Sequence, residues 1–253
     1  MAIDSLYLSL LANTIKMQRS RPDAPKRLSA LALAYPDLLV PKAHLEALFG
    51  PDLVAGIKPR EDAEQIKQWH GLKTWADPVY DTLSLLDALG IDTTVTDVAV
   101  VRGMEVIVDL NEPLPEDLQA RFDIVIDTGT CEHCFNVGMA FRNTCEAVAV
   151  GGHLVHAAPM TRMNHGFWNF CPTIYPDYLG DNGFKLQYLS SVTGGIMEGQ
   201  REFPVDPFNR FVPQPHAAIY MLAKRLERKP PVWPVQRKYR QFIKPAAAEQ
   251  GAG

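Results

Sequence analysis

The densest group of potentially reactive side chains is the run CEHC at residues 131–134, within the block FDIVIDTGTCEHCFN. His133 in this run and a later histidine, His165, are candidates for accepting a proton, because histidine titrates near neutral pH. The two cysteines have the spacing of half a zinc site, but a complete site needs a second pair, and Cys145 and Cys171 lack that spacing. We therefore interpret the cysteines as replacements for apolar residues, and we predict no metal site.

The elements that must position these side chains follow from the apolar spacing. Helical spacing is found at residues 1–20, 80–89 and 136–150, and Gly90 and Asn136 are suited to cap two of these helices. Strands are predicted at residues 28–40, 94–101, 105–110, 122–126 and 153–158. Two further strands are expected at residues 185–193 and 217–226, the latter being equally compatible with a helix.

Strands that alternate with helices indicate βαβ units and a mainly parallel sheet. The predicted fold is a three-layer α/β sandwich around seven strands. Ligands of such sheets bind at the carboxyl ends of the strands, and Asp97, Asp109 and residues 127–133 are expected there.

An ordered series of motifs resembles the class I S-adenosylmethionine-dependent methyltransferases, which have a Rossmann-like fold. The series consists of Asp123 and Asp127 in one strand, the pair Glu132-His133, a helix, and the turn Gly151-Gly152 before the next strand. The resemblance covers roughly residues 70–160. It implies S-adenosylmethionine as cofactor and methyl transfer as the activity.

The resemblance also implies roles for individual residues. Asp97 would hold the ribose hydroxyls, and Asp109 would lie near the adenine with Leu110 against the ring. One carboxylate can accept hydrogen bonds from both hydroxyls of a ribose. The full set of implied cofactor-binding residues is Asp77, Asp97, Asp109, Leu110, Asp127 and Thr128.

The sequence departs from the family at the loop after the first strand, which is rich in glycine in the family. That loop is expected either in residues 71–82 or in the AYPD segment after residues 28–33, and neither has a glycine at the turn. A residue with a side chain in a left-handed turn costs roughly 1–2 kcal/mol. The alternative function is therefore a non-catalytic binding or scaffold protein that has lost the cofactor site.

The acceptor is predicted from the aromatic segment at residues 164–179, which contains His165. Such a segment suits an acceptor with hydroxyls and a flat or sugar-like face, and His133 or His165 would act as its general base. The tail at residues 230–240 is similar to tails of methyltransferase-like proteins from bacterial glycan and cell-envelope pathways. The expected acceptor is a hydroxyl of a small molecule or a sugar or glycan intermediate.

Composition limits the remaining classes. A net charge of -4 and a pI near 6.0 argue against nucleic acid as a partner. No apolar run reaches the roughly 18 residues of a membrane span, and four cysteines in 253 residues favour a reducing, cytoplasmic compartment. We predict an N-terminal extension at residues 1–70, a methyltransferase-like domain at residues 71–226 and a basic, proline-rich tail at residues 227–253. A homodimer remains open.

Overall fold

The computed structural model describes residues 2–197 and 199–243, and its centre is an eight-stranded sheet. The strands of this sheet are β2 (Leu28–Leu33), β4 (Ile91–Asp97), β5 (Val106–Ile107), β6 (Phe122–Asp127), β7 (Val148–Pro159), β8 (Phe184–Thr193), β9 (Arg201–Pro204) and β10 (Ala218–Arg225). Their spatial order is β5-β4-β2-β6-β7-β10-β8-β9. Two short strands, β1 (Ala2–Ile3) and β3 (Asp37–Leu38), pair with each other outside this sheet.

Most of the sheet is parallel, as predicted. The pairs β5-β4, β4-β2, β2-β6 and β6-β7 are parallel, whereas β10 is antiparallel to both of its neighbours. The prediction of seven strands is wrong by one, because β9 adds an antiparallel edge strand beside β8. Its side chains are mostly exposed, so it lacks the apolar pattern from which the other strands were predicted.

Helices cover both faces of the sheet. They are α1 (Ser5–Arg19), α2 (Lys42–Phe49), α3 (Pro51–Ala55), α4 (Ala63–Trp69), α5 (Thr82–Ala88), α6 (Val137–Ala147), α7 (Ile174–Asp181) and α8 (Arg237–Arg240). Alternate residues of each central strand enter two separate cores, as in β6, where Ile124 and Ile126 face one side and Val125 faces the other. The first core includes buried side chains of α1, α2 and α5, and the second includes those of α6 and α7. The predicted three-layer sandwich is confirmed.

Local signals explain where several helices begin and end. Asn136 caps α6 by accepting a hydrogen bond from the Met139 backbone, and Gly90 ends the α5 turn with a φ of 66°. The predicted helix at residues 136–150 is three residues too long, because β7 starts at Val148. Gly152 lies inside that strand, where a Cβ would come within 2.9 Å of the Phe122 carbonyl oxygen.

β2 is the first strand of the large sheet along the chain, and it is the central one of the five parallel strands. It lies within residues 1–70, so the segment predicted as an extension supplies the middle of the sheet. Of the two positions expected for the glycine-poor loop, the structure selects the AYPD segment at residues 34–37, directly after β2. Residues 71–82 instead lead from the small helices α2–α4 into α5.

The remaining segments carry short elements. The predicted tail contains α8, and its residues 244–253 lie outside the described part of the chain. None of the helices described in residues 2–197 and 199–243 combines the length and the apolar character needed to cross a lipid bilayer.

Candidate functional site

A cavity of about 440 Å³ opens at the carboxyl edge of the parallel strands. Its walls include Thr128 and Gly129, which follow β6, and the end of β7 at residues 157–159. In the sheet, β4 and β5 lie on one side of β2, whereas β6 and β7 lie on the other. The direction in which successive strands are added therefore reverses between β2 and β6. Ligands of open α/β sheets bind at such reversals, and the cavity lies beside this one.

The cavity brings together three residues that could do chemistry. Glu132 is fully buried, and its Oε1 lies 3.5 Å from Nε2 of His165 and 3.9 Å from Nε2 of His133. The two imidazole rings are 5.4 Å apart between centroids and remain nearly half exposed. Neither carboxylate oxygen of Glu132 has a hydrogen-bond partner among the described residues. A buried carboxylate without a hydrogen-bond partner is costly, which makes this cluster a candidate for ligand binding.

Two glycines leave room for Glu132 in this position, and one backbone hydrogen bond fixes its turn. A Cβ at Gly129 would lie 2.8 Å from Oε1 of Glu132, and a Cβ at Gly166 would lie 2.9 Å from its Cγ. The backbone N–H of Phe167 donates to the Glu132 carbonyl at 2.9 Å. The loop after β7 is therefore packed directly on the turn after β6, which is why His165 reaches Glu132.

The aromatic segment predicted at residues 164–179 divides into two parts. Phe167 and Trp168 are exposed near the cavity and contact the exposed ring of Phe135 at centroid distances of 5.9 and 6.3 Å. Phe170 and Tyr175 are instead buried in the second core. Only the first part of the segment is available to a ligand.

Asp127 lies beneath the cavity. It is completely buried, its Oδ2 lies 2.7 Å from Nδ1 of His156, and its Oδ1 accepts hydrogen bonds from the backbones of Gly129 and Thr130. Burial alone would raise the pKa of Asp127, but the charge and hydrogen bond of His156, with further hydrogen bonds, lower it below its usual value. Asp127 therefore shapes the loop that carries Thr128, and it does not line the cavity.

His156 is a buried polar residue for which the sequence analysis found no role. It is the direct partner of Asp127 in the pairing of β6 with β7, and its Nε2 lies 3.1 Å from the hydroxyl of Tyr175. The apolar run around it predicted only a buried strand. The register between the two strands, which no local pattern contains, brings the pair together.

Asp97 ends β4 and Asp109 follows β5, at a different part of the same edge. The N–H of Val108 donates to the Asp97 carbonyl at 2.9 Å. Oδ1 of Asp97 accepts from the Val98 backbone, and Oδ1 of Asp109 accepts from the Asn111 backbone, which lowers the pKa of the Asp109 carboxyl. Neither residue lines the 440 Å³ cavity.

The other predicted cofactor residues have separate environments. Leu110 is buried in the second core, and Asp77 accepts a hydrogen bond from the Lys42 backbone at 3.2 Å. Thr128 lines the cavity, and its hydroxyl is buried without a hydrogen-bond partner among the described residues. The structure thus brings Thr128, His133 and His165 to one cavity and leaves Asp77, Asp97, Asp109, Leu110 and Asp127 outside it.

Side chains of the protein pack around the loop after β2 and occupy the space beside it. Ala34 has a φ of 57°, so a residue with a side chain occupies the left-handed turn. The next residue, Tyr35, donates from its hydroxyl to Asp81 at 2.7 Å. The Arg102 guanidinium lies 4.8 Å from the centre of the Tyr35 ring and pairs with Asp37 at 2.9 Å. Burial, followed by the Asp81 contact, raises the pKa of Tyr35 to about 12.

Polar residues from distant parts of the chain complete the cavity wall, and sequence reasoning missed them. Asp4 accepts a short hydrogen bond from the hydroxyl of Tyr220 in β10, and burial raises the pKa of this carboxyl. Arg162 and Gln200 also line the cavity. No motif connects these residues, since each comes from a different element.

The sequence matches no family model and no curated protein. Solved structures similar to the chain include TehB from Haemophilus influenzae (TM-score 0.41, 13% identity, covering 79% of this chain and 58% of that one). Another is the Burkholderia thailandensis 1,6-didemethyltoxoflavin-N1-methyltransferase with S-adenosylhomocysteine (TM-score 0.44, 12% identity, covering 90% of this chain and 92% of that one). A third is the DszA carbon methyltransferase (TM-score 0.46, 10% identity, covering 88% of this chain and 54% of that one). Methyltransferases, the family that the motifs resemble, are thus among the similar structures.

Proposed function

We propose that this chain is an S-adenosylmethionine-dependent methyltransferase whose acceptor, a hydroxyl of a small molecule or of a sugar or glycan intermediate, binds in the cavity at the carboxyl edge of β6 and β7. The observation that supports this most is the arrangement of His133, His165 and buried Glu132 around one cavity beside the reversal of strand order. These are the groups able to bind an acceptor hydroxyl and to assist the loss of its proton.

The cofactor would supply a methyl group already activated on a sulfonium. The residues at the ends of the adjacent strands β4 and β5 are suited to its ribose and adenine, because Asp97 and Asp109 each use Oδ1 for a local turn. Oδ2 of Asp97 would accept hydrogen bonds from the ribose hydroxyls. The buried Thr128 hydroxyl has no hydrogen-bond partner among the described residues, and the bound molecule would supply one. The protein's task is then to align the acceptor with the methyl group and to exclude water.

The exposed rings next to the Glu132 turn suit the proposed acceptor. Phe135, Phe167 and Trp168 form a small apolar surface next to the polar cluster. Sugars and flat rings present an apolar face together with hydroxyls, so such an acceptor could cover the rings while a hydroxyl reaches His165.

A second candidate function is a methyltransferase-like binding protein without a cofactor. One observation favours it: Tyr35 and Arg102 fill the space beyond β2, where the family has a glycine-rich loop. Such a protein would keep the cavity and bind the hydroxylated molecule without modifying it.

Calorimetric titration with S-adenosylhomocysteine separates the two functions. The protein is treated with EDTA first, so that the result does not depend on metal. We expect binding in the wild type and a loss of about tenfold or more in affinity for Asp97→Ala, since charge-assisted hydrogen bonds contribute about 1.5–3 kcal/mol. Asp92→Ala, which removes an exposed carboxylate of the same strand, is the matched control. No heat at millimolar ligand would instead support the binding protein.

The acceptor itself is tested separately. Mass spectrometry of small molecules released from the denatured protein identifies what it binds, and the released molecule is then assayed with S-adenosylmethionine. His165→Gln should lower turnover by about tenfold or more without lowering the melting temperature, because the His165 side chain is 46% exposed. An unchanged rate in this variant would remove His165 from the site.

A further inference from the structure

The carboxylate of Glu132 is buried without a hydrogen bond from the described residues. It is 0% exposed, and neither oxygen has a hydrogen-bond partner in the described chain, although every other carboxylate facing this region has one. A Cβ at Gly129 or Gly166 would come within 3 Å of Glu132, so the position of this side chain requires glycine at both sites. A buried carboxylate without a hydrogen bond is costly, and a positively charged ligand would stabilise it.

The two histidines lie where such a partner would be shared. Nε2 of His165 and Nε2 of His133 lie 3.5 and 3.9 Å from the same oxygen, Oε1 of Glu132. All three ligand atoms are within 4.8 Å of one another. In a tetrahedral zinc site with bonds of about 2.0–2.1 Å, two ligand atoms are roughly 3.3–3.5 Å apart. The observed spacing is therefore longer than a good hydrogen bond and close to the spacing of two atoms on one metal ion.

We infer that Glu132, His133 and His165 form a binding site for a divalent first-row transition metal ion of the zinc type. Two imidazole nitrogens and one carboxylate oxygen are a donor set that suits zinc, iron or cobalt better than magnesium or calcium. Three protein ligands leave at least one coordination position open. That position faces the cavity, because all three residues line it.

A second cluster, formed by Asp127, Cys131 and His156, has metal-compatible spacing but a different character. Its members are fully buried and already bonded to one another, with Asp127 Oδ2 lying 2.7 Å from His156 Nδ1 and 3.1 Å from Cys131 Sγ. These are hydrogen-bond distances, and no member faces the cavity. We assign the ion to the Glu132 cluster for this reason.

The site has a consequence that rests on the proposed methyl transfer. An acceptor hydroxyl at the open position would be oriented by the ion, which would also make the hydroxyl more acidic. The histidines would then act by holding the ion. Metal binding itself does not depend on any methyl transfer.

The test is titration of the full chain, freed of metal by EDTA and dialysis, with Co²⁺ followed by absorption and with Zn²⁺ followed by calorimetry. No S-adenosyl compound is present, so failure here is distinct from failure of the proposed function. We expect one ion per chain. Outer hydrogen-bond partners of metal ligands already contribute about 10- to 100-fold in affinity, so Glu132→Gln, His133→Ala and His165→Ala should each lose at least that much. His44→Ala, a histidine bonded to Ser9 elsewhere, should bind as the wild type does.

Three results would overturn the inference: no binding at millimolar metal, equal binding by the ligand variants, or a thiolate-to-cobalt charge-transfer band, which would put the ion on a cysteine instead. Should Glu132→Gln not fold, His133→Ala and His165→Ala still decide the matter. Their side chains are 47% and 46% exposed and carry little of the core. Circular dichroism checks the fold of each variant.

Discussion

Oε1 of Glu132 lies 3.5 Å from Nε2 of His165, although the whole of helix α6 and strand β7 separates the two residues in the chain. The contact exists because the Phe167 N–H bonds the Glu132 carbonyl and because Gly166 has no side chain at this point. The integrity of the candidate site therefore depends on how closely two loops pack.

This packing predicts opposite effects for two glycine substitutions. Gly166→Ala should lower the free energy of unfolding by about 1–3 kcal/mol, because the new methyl group would overlap the Glu132 backbone. Gly180→Ala is the matched control, since the glycine lies in helix α7 with no atom within 4 Å of the added carbon. It should raise stability by about 0.5–1 kcal/mol. Urea unfolding of both variants measures the difference, and equal effects would contradict the close packing.

Arg102 should be a major stabilising residue of the loop after β2. Its side chain is 10% exposed and pairs with Asp37 and Asp62 while covering the Tyr35 ring. Arg102→Ala removes the cation that these two carboxylates share, leaving Asp62 with Arg60 and Asp37 with His70, and should cost about 1–3 kcal/mol. Arg27→Ala removes an exposed arginine with two exposed acidic partners and should change stability little. Comparable midpoints of denaturation for the two variants would show that the network is not stabilising.

The four cysteines should differ sharply in reactivity. Burial raises the pKa of Cys134 to about 11, that of Cys145 to about 12 and that of Cys131 well above its usual value, whereas Cys171 is exposed. The thiolate is the reactive form, so a thiol reagent near pH 8 should label Cys171 first in the native protein. Mass spectrometry identifies the site, and Cys171→Ser should abolish the fast phase. Early labelling of Cys131 would contradict its burial.

Stability should fall as the solution is acidified, in part through His153. Burial, together with the positive charges of Lys224 and Arg21, lowers the pKa of His153 from 6.5 to about 4. Between these values the unfolded chain binds a proton that the folded chain does not. Stability is therefore complete above pH 6.5 and is lost as the pH falls toward 4, by up to about 3 kcal/mol.

Substitution isolates this contribution. Gln18 lies within hydrogen-bond distance of His153 Nδ1 on the α1 side of the sheet, and protonation of Nδ1 would end its role as an acceptor. His153→Gln should flatten the dependence of the unfolding free energy on pH over this window, whereas His44→Gln should leave the slope intact. A slope that is the same in both variants would assign the effect to other groups.

The sequence by itself determined the local elements and the three-layer class. Periodic apolar residues give the positions of β6, α6 and β10 within a few residues, since side chains two or four positions apart share a face by covalent geometry alone. Asn136 and Gly90 end elements by bonds and turns within one or two residues. These are short-range effects, and they can be inferred without knowing where the chain goes next.

Only the tertiary structure decided which polar groups are buried and with whom. Asp127 meets His156 through the register of two strands, and Glu132 meets His165 through the packing of two loops. The contact of Arg102 with the Tyr35 ring likewise joins residues far apart in the chain. Charges become buried and paired only when several elements enclose them together. The spacing of residues along one segment does not contain this information.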